Sequence, residues 1–132
     1  MISLPKNIYG EIIAHAKAGY PNEACGLLGG ARGDVKEFRP MKNTDHSAVS
    51  YFMDPKEQLE IFKKWRQQSL EMRGIFHSHV SSEAYPSQKD VRLAFYPDVS
   101  YLIASLSDLE KPVLRSFRIE DEKVTEEEVK IV

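Results

Sequence analysis

Residues 54–79 read DPKEQLEIFKKWRQQSLEMRGIFHSH, and the hydrophobic period changes inside this stretch. Asp54 is a candidate N-cap, Pro55 follows at the first helical position, where a missing N–H costs nothing, and Glu57 stands at N3 as in a capping box. Leu59, Phe62 and Trp65 recur at i+3 with Ile61 beside them, a stripe that reads as core contact, and the helix is predicted to end near Gln68. Arg73 to His79 then reads as a strand. A helix leading into a strand, with further strands on both sides in sequence, predicts a mixed α/β domain whose sheet is covered by helices.

Working outward from this stretch, residues 5–18 read as a first helix. Pro5 suits its first turn, Ile8, Ile12 and Ala16 recur at i+4, and Gly19 and Pro21 end it. Ala24 to Gly30 is a short apolar run, read as a buried strand, and the Arg32-Gly33-Asp34 turn returns Val35 to Pro40 as its hairpin partner. Asn43 to Val49 is polar loop, and Tyr51-Phe52-Met53 reads as a brief strand. Beyond His79, residues 80–86 form a loop and residues 87–95 a short helix. Residues 101–106, 113–119 and 123–132 are later strands.

The chain has 132 residues, which predicts one domain over residues 1–132; two separate cores would need more chain. A hydrophobic content of 42% supports a packed core and excludes global disorder. Eighteen Lys+Arg against twenty Asp+Glu give a formal charge of -2, which argues against a general nucleic-acid binder. A single cysteine, Cys25, allows no internal disulfide and fits a reducing compartment. The first residues lack a basic n-region followed by an apolar h-region, and no apolar run approaches the roughly 18 residues of a membrane span. A cytoplasmic protein without membrane partners is expected.

Two of the four histidines form His77-Ser78-His79 at the end of an apolar strand. Side chains two apart on a strand share a face, about 6.6 Å apart at Cα, so both imidazoles can reach one ion. Ser87 and Asp90, three apart at the start of the third helix, share a helix face. Ser-x-x-Asp also reads as a capping box, which explains this pair and leaves the histidines unexplained. Two histidines and one carboxylate make three protein ligands, with a fourth position left for water, as in catalytic zinc sites. A hydrolytic site also wants a general base. Spacing alone leaves it open among twenty acids. Glu83 lies four residues after His79, and Glu23 stands just before a buried strand, where an acid is costly unless used or kept at the rim.

Taken together, Glu23, then His77-Ser78-His79, seven residues, Ser87, two residues and Asp90 resemble the JAMM (MPN+) metalloprotease signature. The flanks Asn22 to Gly29, Asp54 to Gln58 and Tyr85-Pro86-Ser87 resemble the small stand-alone prokaryotic members, and the likeness covers nearly the whole chain. Val80 departs from a frequent proline, which bears only on local loop shape. The resemblance implies a cytidine-deaminase-like fold and one zinc per chain, bound by His77, His79 and Asp90 with a water in the fourth place. It implies Glu23 as the general base and Ser87 as hydrogen-bond donor to the oxyanion. It further implies hydrolysis of the amide bond after the C-terminal Gly-Gly of a ubiquitin-like or sulfur-carrier protein of β-grasp type. A less selective zinc exopeptidase or dipeptidase, and a non-catalytic zinc-stabilised scaffold, are the competing readings. Outside the signature, Cys25 reads as a small buried hydrophobe, His15 as a partly exposed helix residue, and His46 as a loop residue. The acidic run Glu120 to Glu128 reads as solvated edge strands.

Overall fold

The computed structural model describes residues 1–132. In chain order the elements are β1 (Ile2–Leu4), α1 (Lys6–Gly19), β2 (Cys25–Ala31), β3 (Asp34–Met41), α2 (Pro55–Gln67), β4 (Glu71–His79), α3 (Gln88–Arg92), β5 (Ser100–Ser105), β6 (Val113–Glu120), β7 (Lys123–Glu127) and β8 (Val129–Ile131). The eight strands form one mixed sheet in the order β7-β6-β5-β4-β2-β3-β1-β8, the mixed α/β architecture that the sequence implies. β4 and β5 run parallel, joined by a crossover that contains α3. Most other neighbours are antiparallel, and β1 runs parallel to both β3 and β8.

Alternation along the central strands sorts their side chains between two cores. Leu28, Phe76, Leu102 and Ala104 face α1, which buries Ile8, Ile12 and Ala16 against them. Cys25, Leu27, Ile75, Tyr101 and Ile103 face the other way, toward α2 and Trp65. A sheet with apolar side chains on both faces needs cover on both, and the two helices supply it. Trp65 packs flat on the strand because Gly29 has no side chain; a Cβ there would lie 2.5 Å from the indole. Ile75, His77 and His79 share the α2 face of β4, so the two histidines emerge where that face runs out of core.

Several sequence expectations change. Residues 51–53 form no strand, because side chains of a neighbouring loop, not a strand, take their backbone bonds. The α2 stripe is narrower than expected: Trp65 is buried, Phe62 half-buried and Leu59 exposed. The third helix stops at Arg92 instead of residue 95. A short first strand, β1, precedes α1. The C-terminal strand expected over 123–132 is two strands, β7 and β8, at opposite ends of the sheet order although only Glu128 separates them. The sheet must therefore curl to bring its two ends together at Glu128, whose carbonyl accepts from the Ile2 N–H of β1 at 2.9 Å. Glu127 is not a solvated edge acid. It is nearly buried and accepts hydrogen bonds from the Ser100 and Ser116 hydroxyls and the Met1 ammonium. Burial pushes its carboxyl up, but those bonds outweigh burial and hold it below the usual carboxylate range. No helix is long and apolar enough to cross a membrane.

Candidate active site

The last turn of β4 and the start of α3 converge on one point. His77 Nε2, His79 Nε2 and Asp90 Oδ2 stand 3.1 Å from one another on all three sides. Ligands arranged tetrahedrally around an ion at about 2.0–2.1 Å lie about 3.3 Å apart, so this triangle fits a zinc-sized cation with one face open. The chemistry of the donors fits as well. His79 Nδ1–H donates to the Glu83 carbonyl at 2.8 Å, which leaves Nε2 of the neutral ring as a bare lone pair aimed at the triangle. His77 is almost fully buried; its Nδ1 has no partner, and its ring stacks on Tyr51 at 4.6 Å between centroids. Burial drives the His77 pKa down despite Asp90, which favours the neutral, ligating form. Burial acts the same way on His79, but hydrogen bonds to Asp90 and the Glu83 carbonyl outweigh it and move its pKa up. Asp90 is held well below the usual carboxylate range: burial opposes this, and the hydrogen bonds with His77 and His79 and the Ser87 N–H outweigh it.

The capping box expected of Ser87 and Asp90 is present, and it shares Asp90 Oδ2 with the triangle. Ser87 N–H donates to Asp90 Oδ2 at 2.9 Å, and Asp90 N–H donates to Ser87 Oγ at 3.1 Å. The cap thus fixes the oxygen that completes the triangle. Because Ser87 Oγ accepts in the cap, its own proton is free for another acceptor.

Glu23 lies at the N-terminal approach to β2, 7% exposed, and feels the charges of His79 and Asp90. Burial raises its pKa to about 7. Its peptide is held on both sides: the N–H donates to the Ser47 carbonyl at 2.8 Å and the C=O accepts from Asn43 Nδ2 at 3.0 Å. The same Asn43 side chain bonds the Ser50 carbonyl and the Asp45 and Phe52 N–H groups, tying the 43–53 loop together. Sequence reading missed Asn43, Ser47 and Tyr51, since side-chain-to-backbone contacts across a loop leave no periodic signal. Glu83, the other acid considered as base, is exposed and contributes its carbonyl to His79. Cys25 is buried beside Met41 and its thiol is pushed up to about 12 by burial, so it stays an inert hydrophobe. His15 contacts the Cys25 carbonyl at 2.9 Å, and His46 lies exposed in the loop; neither approaches the triangle.

A cleft of about 230 Å³ opens beside Asp90, walled by Tyr51, Phe52, Met53, Leu93 and Tyr96. Phe52, Leu93 and Phe95 stand exposed around its mouth. Along the cleft, the Phe52 N–H and C=O are bonded to Asn43 and Thr44, whereas the Tyr51 N–H and C=O pair with nothing.

Residues 5–120 match the family described as prokaryotic homologs of the JAB domain. The chain is 40% identical over 128 residues to the CysO-cysteine peptidase of Mycobacterium tuberculosis, covering 96% of this chain and 88% of that one. It is 33% identical over 112 residues to a desampylase of Haloferax volcanii, covering 79% and 80%. The solution structure of protein DSY2949 from Desulfitobacterium hafniense superposes with a TM-score of 0.90 at 46% identity, over 100% of this chain and 93% of that one.

Proposed function

Since the chain belongs to the family of prokaryotic homologs of the JAB domain, we propose that it is a zinc-dependent peptidase and isopeptidase that cuts after the C-terminal Gly-Gly of a ubiquitin-like or sulfur-carrier protein. The observation that carries this reading is the triangle of His77, His79 and Asp90 beside a buried Glu23. The relatives named CysO-cysteine peptidase and desampylase support the substrate class. The same reading takes residues 1–132 as one catalytic domain with one zinc, working in the cytoplasm.

Zinc held by His77, His79 and Asp90 supplies a water with its pKa lowered toward about 7 and a Lewis acid for the scissile carbonyl. The chain's own residues do the rest. Glu23, with a pKa near neutrality set by burial, takes a proton from the attacking water and passes it to the leaving amine. Ser87 donates its free hydroxyl proton to the developing oxyanion, a contact worth on the order of 3 kcal/mol.

β4 offers no edge to a substrate, since β2 and β5 occupy both of its sides. The unpaired Tyr51 peptide groups are the edge at hand. An extended tail lying beside them finds main-chain hydrogen bonds, with the apolar cleft beside it for an upstream side chain. Glycines suit a close approach to the triangle because they bring no side chain.

The test uses a β-grasp carrier ending in Gly-Gly, bearing a C-terminal cysteine or a lysine-linked adduct. Cleavage is expected immediately after the second glycine. Ala-Ala in place of the pair should cut kcat/KM by roughly tenfold or more, the scale of a methyl group against a pocket wall. Equal rates on both carriers, or faster cleavage of unrelated dipeptides, would move the assignment to an exopeptidase. No turnover by the zinc-loaded protein on any of them would make it a scaffold.

A further inference from the structure

The residue between the two histidines faces away from the metal triangle and touches the strand that leads to Glu23. In the register of β2 and β4, Cys25 lies opposite His77, so the next pair is Ala24 and Ser78. A hydrogen-bonded antiparallel pair normally exchanges two N–H···O=C bonds. Here only one is made: Ser78 N–H donates to the Ala24 carbonyl at 2.9 Å. The reciprocal donor, Ala24 N–H, turns to Ser78 Oγ at 2.8 Å, and the ladder ends there. Both residues are buried, Ser78 completely, so no water stands ready to replace the hydroxyl. The peptide fixed in this way is the one joining Glu23 to Ala24. Its carbonyl accepts from Asn43 of the loop, and the preceding peptide's N–H, that of Glu23, donates to the Ser47 carbonyl; neither contact comes from the strand that carries His77 and His79.

We propose that Ser78 is a positioning residue for the general base: its hydroxyl splices the end of β2 onto the metal-bearing strand and so sets Glu23 at a fixed place relative to His77 and His79. The proposal rests on the reading of Glu23 as the base. Ser78 itself points to the α1 side of the sheet, so it touches neither metal nor substrate. Its cross-strand neighbours are Ala24 and Ala104, both small, and threonine is the replacement that keeps the hydroxyl.

The experiment compares wild type with Ser78→Ala, Ser78→Thr, Glu23→Gln and the Ser78→Ala/Glu23→Gln double variant. Zinc content, kcat and KM on the carrier adduct, and hydrogen exchange of the Ala24 amide in the metal-free protein are measured. Ser78→Ala should keep its zinc and its KM, lose roughly tenfold in kcat, and exchange the Ala24 amide at least tenfold faster. Ser78→Thr should restore both the rate and the protection. In the Glu23→Gln background, Ser78→Ala should cost nothing further, because a residue acting through the base has nothing left to position. Wild-type kcat in Ser78→Ala, loss of activity only in proportion to lost zinc, failure of threonine to restore it, or full additivity in the double variant would each overturn the proposal. Wild-type activity in Glu23→Gln would overturn it from the other side, by removing the base, and the Ala24 exchange result would tell the two failures apart.

Discussion

Two stretches of backbone face the same site and are held there by different means. β4 lies between β2 and β5, its peptide groups engaged on both sides and its apolar side chains in two cores. The loop over residues 43–53 has no strand partner. Side-chain hydrogen bonds, three of them made by Asn43, tie it together, and its Tyr51 ring rests on His77. Of the three groups that would hold an ion, two sit on the strand and the third, Asp90, on α3 with its capping box, while groups that would meet a variable tail sit on the loop. Opening a paired strand costs several bonds and core burial together, whereas loop contacts can yield one at a time.

The largest expected effect tests the corner that β4 and α3 build. His77→Ala or Asp90→Ala should lose most of the zinc and essentially all turnover, since each removes one corner of the triangle. Metal analysis of the purified variants checks this, and full zinc in both would dissolve the distinction between the two regions. Next comes Glu23→Gln, which keeps shape and removes the base. Turnover should fall by roughly 10²-fold or more while zinc and folding persist; a wild-type rate would send the search for a base to Glu83.

Asn43→Ala probes the loop side and should be milder. It removes bonds to the Glu23 and Ser50 carbonyls and to the Asp45 and Phe52 amides. Hydrogen exchange should rise over residues 44–53 while β4 stays protected, and kcat/KM should fall by roughly tenfold, the worth of one or two net hydrogen bonds. Exchange rising equally in β4 would show that loop and strand open as one unit.

A last effect is on stability. In the metal-free protein the folded state raises the Glu23 pKa from 4.5 to about 7. The folded chain therefore binds the extra proton between these values, and the stability this brings is complete below about pH 4.5 and lost as pH rises through about 7. Glu23→Gln, always neutral, escapes that loss. In urea unfolding, any difference between the two proteins should stay constant below about pH 4.5, and above it should shift in favour of the variant until the pH passes about 7. A difference that does not change with pH would mean that burial does not govern this carboxyl.

The same contrast decides what could be read from sequence. The period of two placed His77 and His79 on one face, and the spacing of three paired Ser87 with Asp90, because strand and helix geometry fix these relations locally. The central strands and the α1 stripe were legible for the same reason. Asn43 was not, because its partners at residues 23, 45, 50 and 52 follow no repeat. Tyr51 to Met53 misled in the other direction: three apolar residues read as a strand, but no free strand lies beside them. The division of the last strand into β7 and β8 was hidden as well. A single residue between them marks a change of neighbours, and neighbours are a property of the whole sheet.

The pairing of the first strand with the last has a mechanical consequence. β1 and β8 are parallel, with Ile2 opposite Val129 and Leu4 opposite Ile131. The start of the first strand and the end of the last therefore lie at opposite ends of one ladder. Tension applied between Ile2 and Ile131 would load these bonds together in shear. A hairpin pulled from its open end would instead unzip rung by rung. The ladder that joins the first strand to the last is thus also the part of the molecule placed to bear a pull.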